Sequence, residues 1–122
     1  MIHHPPLTQA ALRQFTGTEH WYRHPLVREV VFTDGARYVA DAGGAYWLLD
    51  EIAFAQRAVP AVAAEEFQSW TLTVHEDRTA LLVCGNGNRR TLYSKKLEYT
   101  DFPLAEITLY CSNRTILLPS EW

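Results

Sequence analysis

The sequence predicts an α+β fold: an antiparallel meander sheet of about six or seven strands packed on one main buried helix, after a short N-terminal helix. Three observations carry this. Residues 66–118 alternate apolar and polar side chains between closely spaced turn signals. Residues 43–58 are apolar almost all the way round a helix. Asp34-Gly35 stands between β-branched and aromatic residues, where a tight hairpin turn is expected.

The first element is a helix. Thr8 supplies an N-cap, "QAALRQF" sets Ala11, Leu12 and Phe15 on one side, and Gly17 ends it. "EHWYRHP" follows. Pro25 disfavours helical geometry at His24 and the β-rich "VREVVF" comes at once, so this stretch reads as extended. A two-residue turn at Asp34-Gly35 then sets Thr33 opposite Ala36, Phe32 opposite Arg37, Val31 opposite Tyr38, Val30 opposite Val39 and Arg28 opposite Asp41.

The main helix runs from Gly43 through "GGAYWLLDEIAFAQRA". Tyr46, Leu49, Ile52 and Ala53 share its buried face, Trp47, Leu48, Phe54 and Ala55 widen it, and Asp50, Glu51, Gln56 and Arg57 form a narrow exposed edge. Beyond Glu66 all is strand. Trp70, Leu72 and Val74 face one way, and Thr71, Thr73 and His75 the other. Two-residue turns at Asp77-Arg78 and Asn86-Gly87 set Val74 opposite Leu81, Leu72 opposite Val83 and Leu81 opposite Leu92. Tyr93, Leu97 and Tyr99 then have the wrong parity, which calls for a bulge near Ser94–Lys96. "EITLYCS" and "TILLP" make a last hairpin around Asn113-Arg114.

The totals fit one domain spanning residues 1–122. At 48% hydrophobic and 20% charged residues the chain is globular, and its length buries roughly two-thirds of the unfolded surface. A net charge of −3 argues against a dedicated duplex-DNA binder. The N-terminal stretch has no apolar signal-peptide core and no apolar run is long enough to span a membrane, so a cytoplasmic protein is expected. Cys84 and Cys111 read as buried free thiols.

The motifs that could carry chemistry are few. His20 and His24 stand four apart; in an extended segment they lie about 13 Å from each other, too far to share an ion. His3, His4 and His75 lie on other parts of the chain, so the pair reads as surface histidines flanking a packed aromatic, and no metal is expected. Cys84 falls opposite Thr71, out of reach of His75, which argues against a thiol–imidazole dyad. "CGNGNRR" lacks the Walker pattern and precedes a strand, so no helix dipole would meet a phosphate. The carboxylates do not converge, and no cofactor is expected. Arg89, Arg90, Lys95 and Lys96, with Tyr93 among them, form a basic strand that could hold a single-stranded nucleic acid.

"FTGTEHWYRHPL", "FTDGARYVADAGGAYWLLDEIA", "YTDFPL" and "LLPSEW" resemble a family of small uncharacterised bacterial proteins, often encoded on phages, plasmids and other mobile elements. The resemblance runs from about Leu12 to Trp122. It implies an accessory or host-defence-related role and carries no catalytic residue. The expected function is a non-enzymatic protein-binding module, in its sharpest form an anti-CRISPR-like inhibitor. Its candidate surface is His20, Trp21, Tyr22, Arg23 and His24 with Trp122. The alternatives are single-strand binding through the basic strand, and a small enzyme with a histidine-containing pocket.

Overall fold

The computed structural model describes residues 7–122. Its elements are α1 (Gln9–Leu12), β1 (Trp21–Arg23), β2 (Val31–Thr33), α2 (Asp34–Gly43), α3 (Tyr46–Ala58), α4 (Pro60–Ala63), β3 (Phe67–Val74), β4 (Ala80–Gly85), β5 (Thr91–Leu97), β6 (Glu106–Ser112) and β7 (Thr115–Leu117). A 3-10 turn, Pro119–Glu121, follows. The fold is α+β, with one seven-stranded sheet in the order β1-β2-β7-β6-β3-β4-β5. The sheet is mixed, not a pure antiparallel meander, because β2 runs parallel to β7.

The expected hairpin at Asp34-Gly35 is instead the start of α2. Thr33 is extended, and its hydroxyl accepts from the Ala36 amide at 3.3 Å, capping the helix. Ala36, Val39, Ala40 and Gly43 recur at helical spacing and are buried. Gly35 has no positive φ, so the pairs from Thr33–Ala36 to Arg28–Asp41 do not form. Gly44 ends the helix in the left-handed region at φ 60°, and the Gly44 and Ala45 amides both turn back to the Ala40 carbonyl. The main helix therefore begins at Tyr46, not Gly43. Leu48, Leu49, Ile52, Ala53 and Ala55 are buried as expected, Tyr46 and Phe54 are exposed, and Gln56 is buried, not on the outer edge.

From β3 onward the alternation holds: Gln68, Trp70, Leu72 and Val74 are buried on one face. The β3–β4 register is one residue off the expected one, with Val74 opposite Ala80 and Leu72 opposite Leu82. The reason is an odd-length turn. His75 pairs with Thr79 through its amide, and Arg78 takes φ 69° to close a three-residue loop. The bulge exists, but it falls at Leu92, not near Ser94–Lys96: Cys84 faces Tyr93 and Gly85 faces Thr91. The turn before it is also five residues long, 86–90, not the two of Asn86-Gly87; turn and bulge together move the register by four, so Leu81 faces Lys96, not Leu92. The β6–β7 hairpin forms as expected, with Asn113 and Arg114 at φ 49° and 63°.

The inner face of the sheet meets the helices. Trp70, Leu72, Leu82, Cys84, Leu109 and Ile116 pack there with Val39, Leu48, Leu49 and Ile52. A polar link crosses this layer. The amides of Gln56 on α3 and Gln68 on β3 exchange hydrogen bonds of 2.8 and 2.9 Å, and the Trp70 indole donates to Gln68 Oε1. The outer face carries Ser69, Thr71, Thr73, Leu81, Val83, Thr108, Tyr110 and Ser112, half-buried by one another and covered by none of α2, α3 and α4. Among the described residues, no helix is long and apolar enough to cross a membrane.

Candidate interaction surface

The extended reading of "EHWYRHP" holds, since Trp21–Arg23 forms the edge strand β1. Alternation then divides its residues between the two faces. Tyr22 points inward. Its ring stacks on Phe32 at 5.6 Å, its hydroxyl donates to Asp34 Oδ1 at 2.9 Å, and the Arg37 guanidinium lies 4.5 Å above it. Trp21 and Arg23 point outward. The registers place Arg23, Val31, Thr115, Ser112 and Phe67 in one row across five strands, on one face.

Trp122 reaches the same face. Its indole packs edge-on against Phe67 at 5.1 Å and Tyr110 at 6.0 Å. Trp21 is 61% and Trp122 69% exposed, so both anchors are largely free. The C-terminal turn is held by Glu121. Its carboxylate accepts from the Thr33 hydroxyl at 2.7 Å, the Leu118 amide at 2.8 Å and the Gly35 amide at 3.1 Å. A carboxylate at the N-terminus of α2 also meets the positive end of the helix. Phe67, Tyr110 and Glu121 escaped sequence reasoning, because their meeting depends on the β3–β6 register and on a contact 88 residues apart.

The two histidines have different fates. His20 is exposed, 3.5 Å from Asp34 through Nδ1. His24 is not on the surface; it is 1% exposed. Its Nδ1 accepts from the Leu26 and Val27 amides, which leaves the ring proton on Nε2, and Nε2 donates to Asp50 Oδ1 at 2.7 Å. Both nitrogens are spent on holding the turn after β1 against α3, so His24 has no free lone pair for general-base work. His75 is exposed beyond the end of β3. His3 and His4 lie outside the described residues. Among the described residues, no three His, Cys, Asp or Glu side chains gather as a metal set.

Asp34 is the charged hub of this corner. The Glu19 amide first, then the Tyr22 and Thr18 hydroxyls and the His20 amide, hold its carboxyl down to about 2. The cysteines are buried thiols pushed up to about 12 by burial, with a further push on Cys84 from Cys111. Such thiols are poor nucleophiles. Cys84 lies opposite Trp70, not Thr71.

The basic strand does not survive as one surface. Tyr93 faces inward, with its ring 6.0 Å from Trp70, and Lys95 donates to Glu51 of α3 at 2.6 Å. Lys96 points to the opposite face, and Arg89 and Arg90 belong to the turn before β5. Tyr93 is turned away from the face that carries Lys96, so the two do not form one stacking surface.

A family model described as a family of unknown function (DUF6876) matches residues 6–122. No curated protein and no solved structure matches the chain.

Proposed function

We propose that this chain, which belongs to that family of unknown function, is a non-enzymatic protein-binding module that docks a protein partner on the open sheet face. One observation supports the reading above others: Trp21, Arg23 and Trp122, far apart in sequence, lie on the same outer face, around the C-terminal turn that covers Thr33. Trp and Arg dominate binding hot spots because they bury much area and lose little freedom on docking. The partner this surface suits is a flat protein face with recesses for two indoles and a carboxylate for Arg23. The sharpest form of the reading is an anti-CRISPR-like inhibitor of a host-defence protein, acting in the mobile-element setting that the resemblance implies. An enzymatic role finds little support in His24, whose nitrogens are both engaged.

The test starts from the full chain. A partner is captured from host lysate, purified, and titrated by calorimetry. Trp21→Ala, Trp122→Ala and Arg23→Glu should each weaken binding tenfold or more. Glu76→Ala, on an exposed turn, should leave it unchanged. A partner whose affinity none of the three variants alters binds elsewhere, and the proposal fails.

A further inference from the structure

The open face carries a charge pattern that the chain itself cannot satisfy. Four strands contribute one cross-strand row: Glu106 on β6, Thr73 on β3, Leu81 on β4 and Lys96 on β5. Glu106 and Lys96 are exposed at the two ends of this row. Three strand spacings separate them, about 14 Å, which is beyond ion-pair reach. Among the described residues neither forms an ion pair within the chain; the Glu106 carbonyl takes a hydrogen bond from Gln9, and the neighbouring Lys95 is paired inward. Between them the face is uncharged. The next row is Thr108, Thr71, Val83 and Ser94.

We infer that a second copy of this chain covers β6, β3, β4 and β5, sheet against sheet, with Glu106 of each copy paired to Lys96 of the other. A two-fold axis lying in the interface, along the strands and between β3 and β4, exchanges β6 with β5 and β3 with β4. It carries each Glu106 onto the Lys96 of the other copy, twice per dimer. A two-fold contact must be self-complementary, and opposite charges at the two ends of an uncharged row are the arrangement that satisfies it. Stacked sheets cross at about 30°, which moves these ends by only a few ångströms, within the reach of Glu and Lys side chains. The neutral centre costs little to desolvate, since its Thr71 and Thr108 hydroxyls already meet at 3.2 Å.

The same operation explains two other features. Trp122 rises over β3 and β6 on Phe67 and Tyr110, where it would obstruct a flat partner. The axis brings it over β4 and β5, at the row where Gly85 stands opposite Ser69 and adds no side chain. Strands β1, β2 and β7 lie outside the four covered strands and overhang on opposite sides of the pair. Trp21 and Arg23 stay free on each overhang, whereas Trp122 is shared, so a partner that takes its indole competes with the second copy there.

Sedimentation equilibrium on the full chain, with light scattering after gel filtration, tests this. The wild type should run at twice the 14.0 kDa chain mass and dissociate more readily as salt rises. Glu106→Lys should weaken the dimer tenfold or more, as should Lys96→Glu, because each sets two like-charge contacts in the interface. The double exchange Glu106→Lys with Lys96→Glu should restore it. Val83→Arg, at the centre, should give a monomer whose far-ultraviolet circular dichroism is native. A monomeric wild type at about 100 µM, a dimer indifferent to either single reversal, or a double exchange that fails to restore it would overturn the inference. These readouts need no foreign partner, so they are independent of the binding test above.

Discussion

The two sides of the sheet use their polar groups in opposite ways. On the inner face Gln56, Gln68, the Trp70 indole and His24 are buried, and each polar atom there meets a partner inside the chain. On the outer face Ser69, Thr71, Thr73, Thr108 and Ser112 are only half-buried, and the Thr71 and Thr108 hydroxyls meet each other at 3.2 Å. The difference teaches where to look for function. A closed network is spent on specifying the fold, and removing one member strands the others. An open face of mixed hydroxyl, aliphatic and aromatic groups loses little by being altered, so its composition answers to something outside the chain.

The largest expected effect is on the closed side. Gln68→Leu removes the acceptor of the Trp70 indole, both bonds to the Gln56 amide and the donor to the Val62 and Glu65 carbonyls, though Gln56 keeps the Ile52 carbonyl and Val62 the Glu65 amide. Stranding buried groups of this kind should cost about 3 kcal/mol, read as a shifted midpoint in urea at unchanged slope. Gln56→Leu with Gln68→Leu should recover part of the loss, because the two amides leave together. If Gln68→Leu unfolds at the wild-type midpoint, the inner network contributes nothing and the contrast between the faces collapses.

Gly35→Val comes next, at about 2 kcal/mol. A Cβ at Gly35 would come within 2.3 Å of Glu121 Oε1 and 2.8 Å of Leu118 Cδ1. Leu118 is buried, and Glu121 can swing away only by giving up its three bonds. The cause is close approach inside a helix, not turn geometry. A double-mutant cycle with Glu121→Ala separates the two: coupling between the positions is expected, and additive effects would place the strain elsewhere.

Asp34-Gly35 and Asn113-Arg114 show what could be read in advance. Each pair stands between strand-forming residues and each signals a break in direction. Only the second is a hairpin turn, and the deciding information lies downstream. After Arg114 come the β-branched Thr115 and Ile116. After Gly35 come Ala36, Val39, Ala40 and Gly43 at helical spacing, which outweigh the β-branched residues before them. β6 returns past β4 and β5 to pair with β3, which no turn signals; the β3–β4–β5 run was legible because its partners are adjacent in sequence. The parallel β2–β7 pairing was not, since some 80 residues separate the strands and no turn specifies it. Within the site, Pro25 revealed the extended backbone of His24, but its burial depends on Asp50, 26 residues away. Trp21, Arg23 and Trp122 were legible as exposed anchors; that they share a face follows only from the registers.

Acid provides a smaller effect, at the corner where the two faces meet. The folded carboxyl of Asp34 titrates at about 2 against an ordinary 3.8, so its bonds to the Glu19 and His20 amides stabilise the fold fully above the ordinary value. That contribution fades as the pH falls from about 4 towards 2. Denaturation midpoints of wild type and Asp34→Asn should therefore differ at pH 6 and converge at pH 2. A gap that stays constant across this range would mean that the carboxylate charge is irrelevant there.

The smallest effects come from one substitution made at two threonines, which puts the comparison to its finest test. Thr33 and Thr71 are both strand residues on the outward side of the alternation, and both hydroxyls make bonds inside the chain. Thr33 is 2% exposed beneath the C-terminal turn; it caps α2 through the Ala36 amide and donates to Glu121. Thr33→Val keeps the shape but leaves an amide and a carboxylate short of a partner, and should cost about 1–2 kcal/mol. Thr71 meets only Thr108 at 3.2 Å and is open to water, which can replace the lost bond, while Val fits a strand equally well. Thr71→Val should move stability by no more than about 0.5 kcal/mol. Urea unfolding of the two variants side by side gives the answer. If Thr71→Val costs as much as Thr33→Val, the hydroxyls of the open face belong to the fold, and the case for reading that face as a surface made for a partner loses its basis.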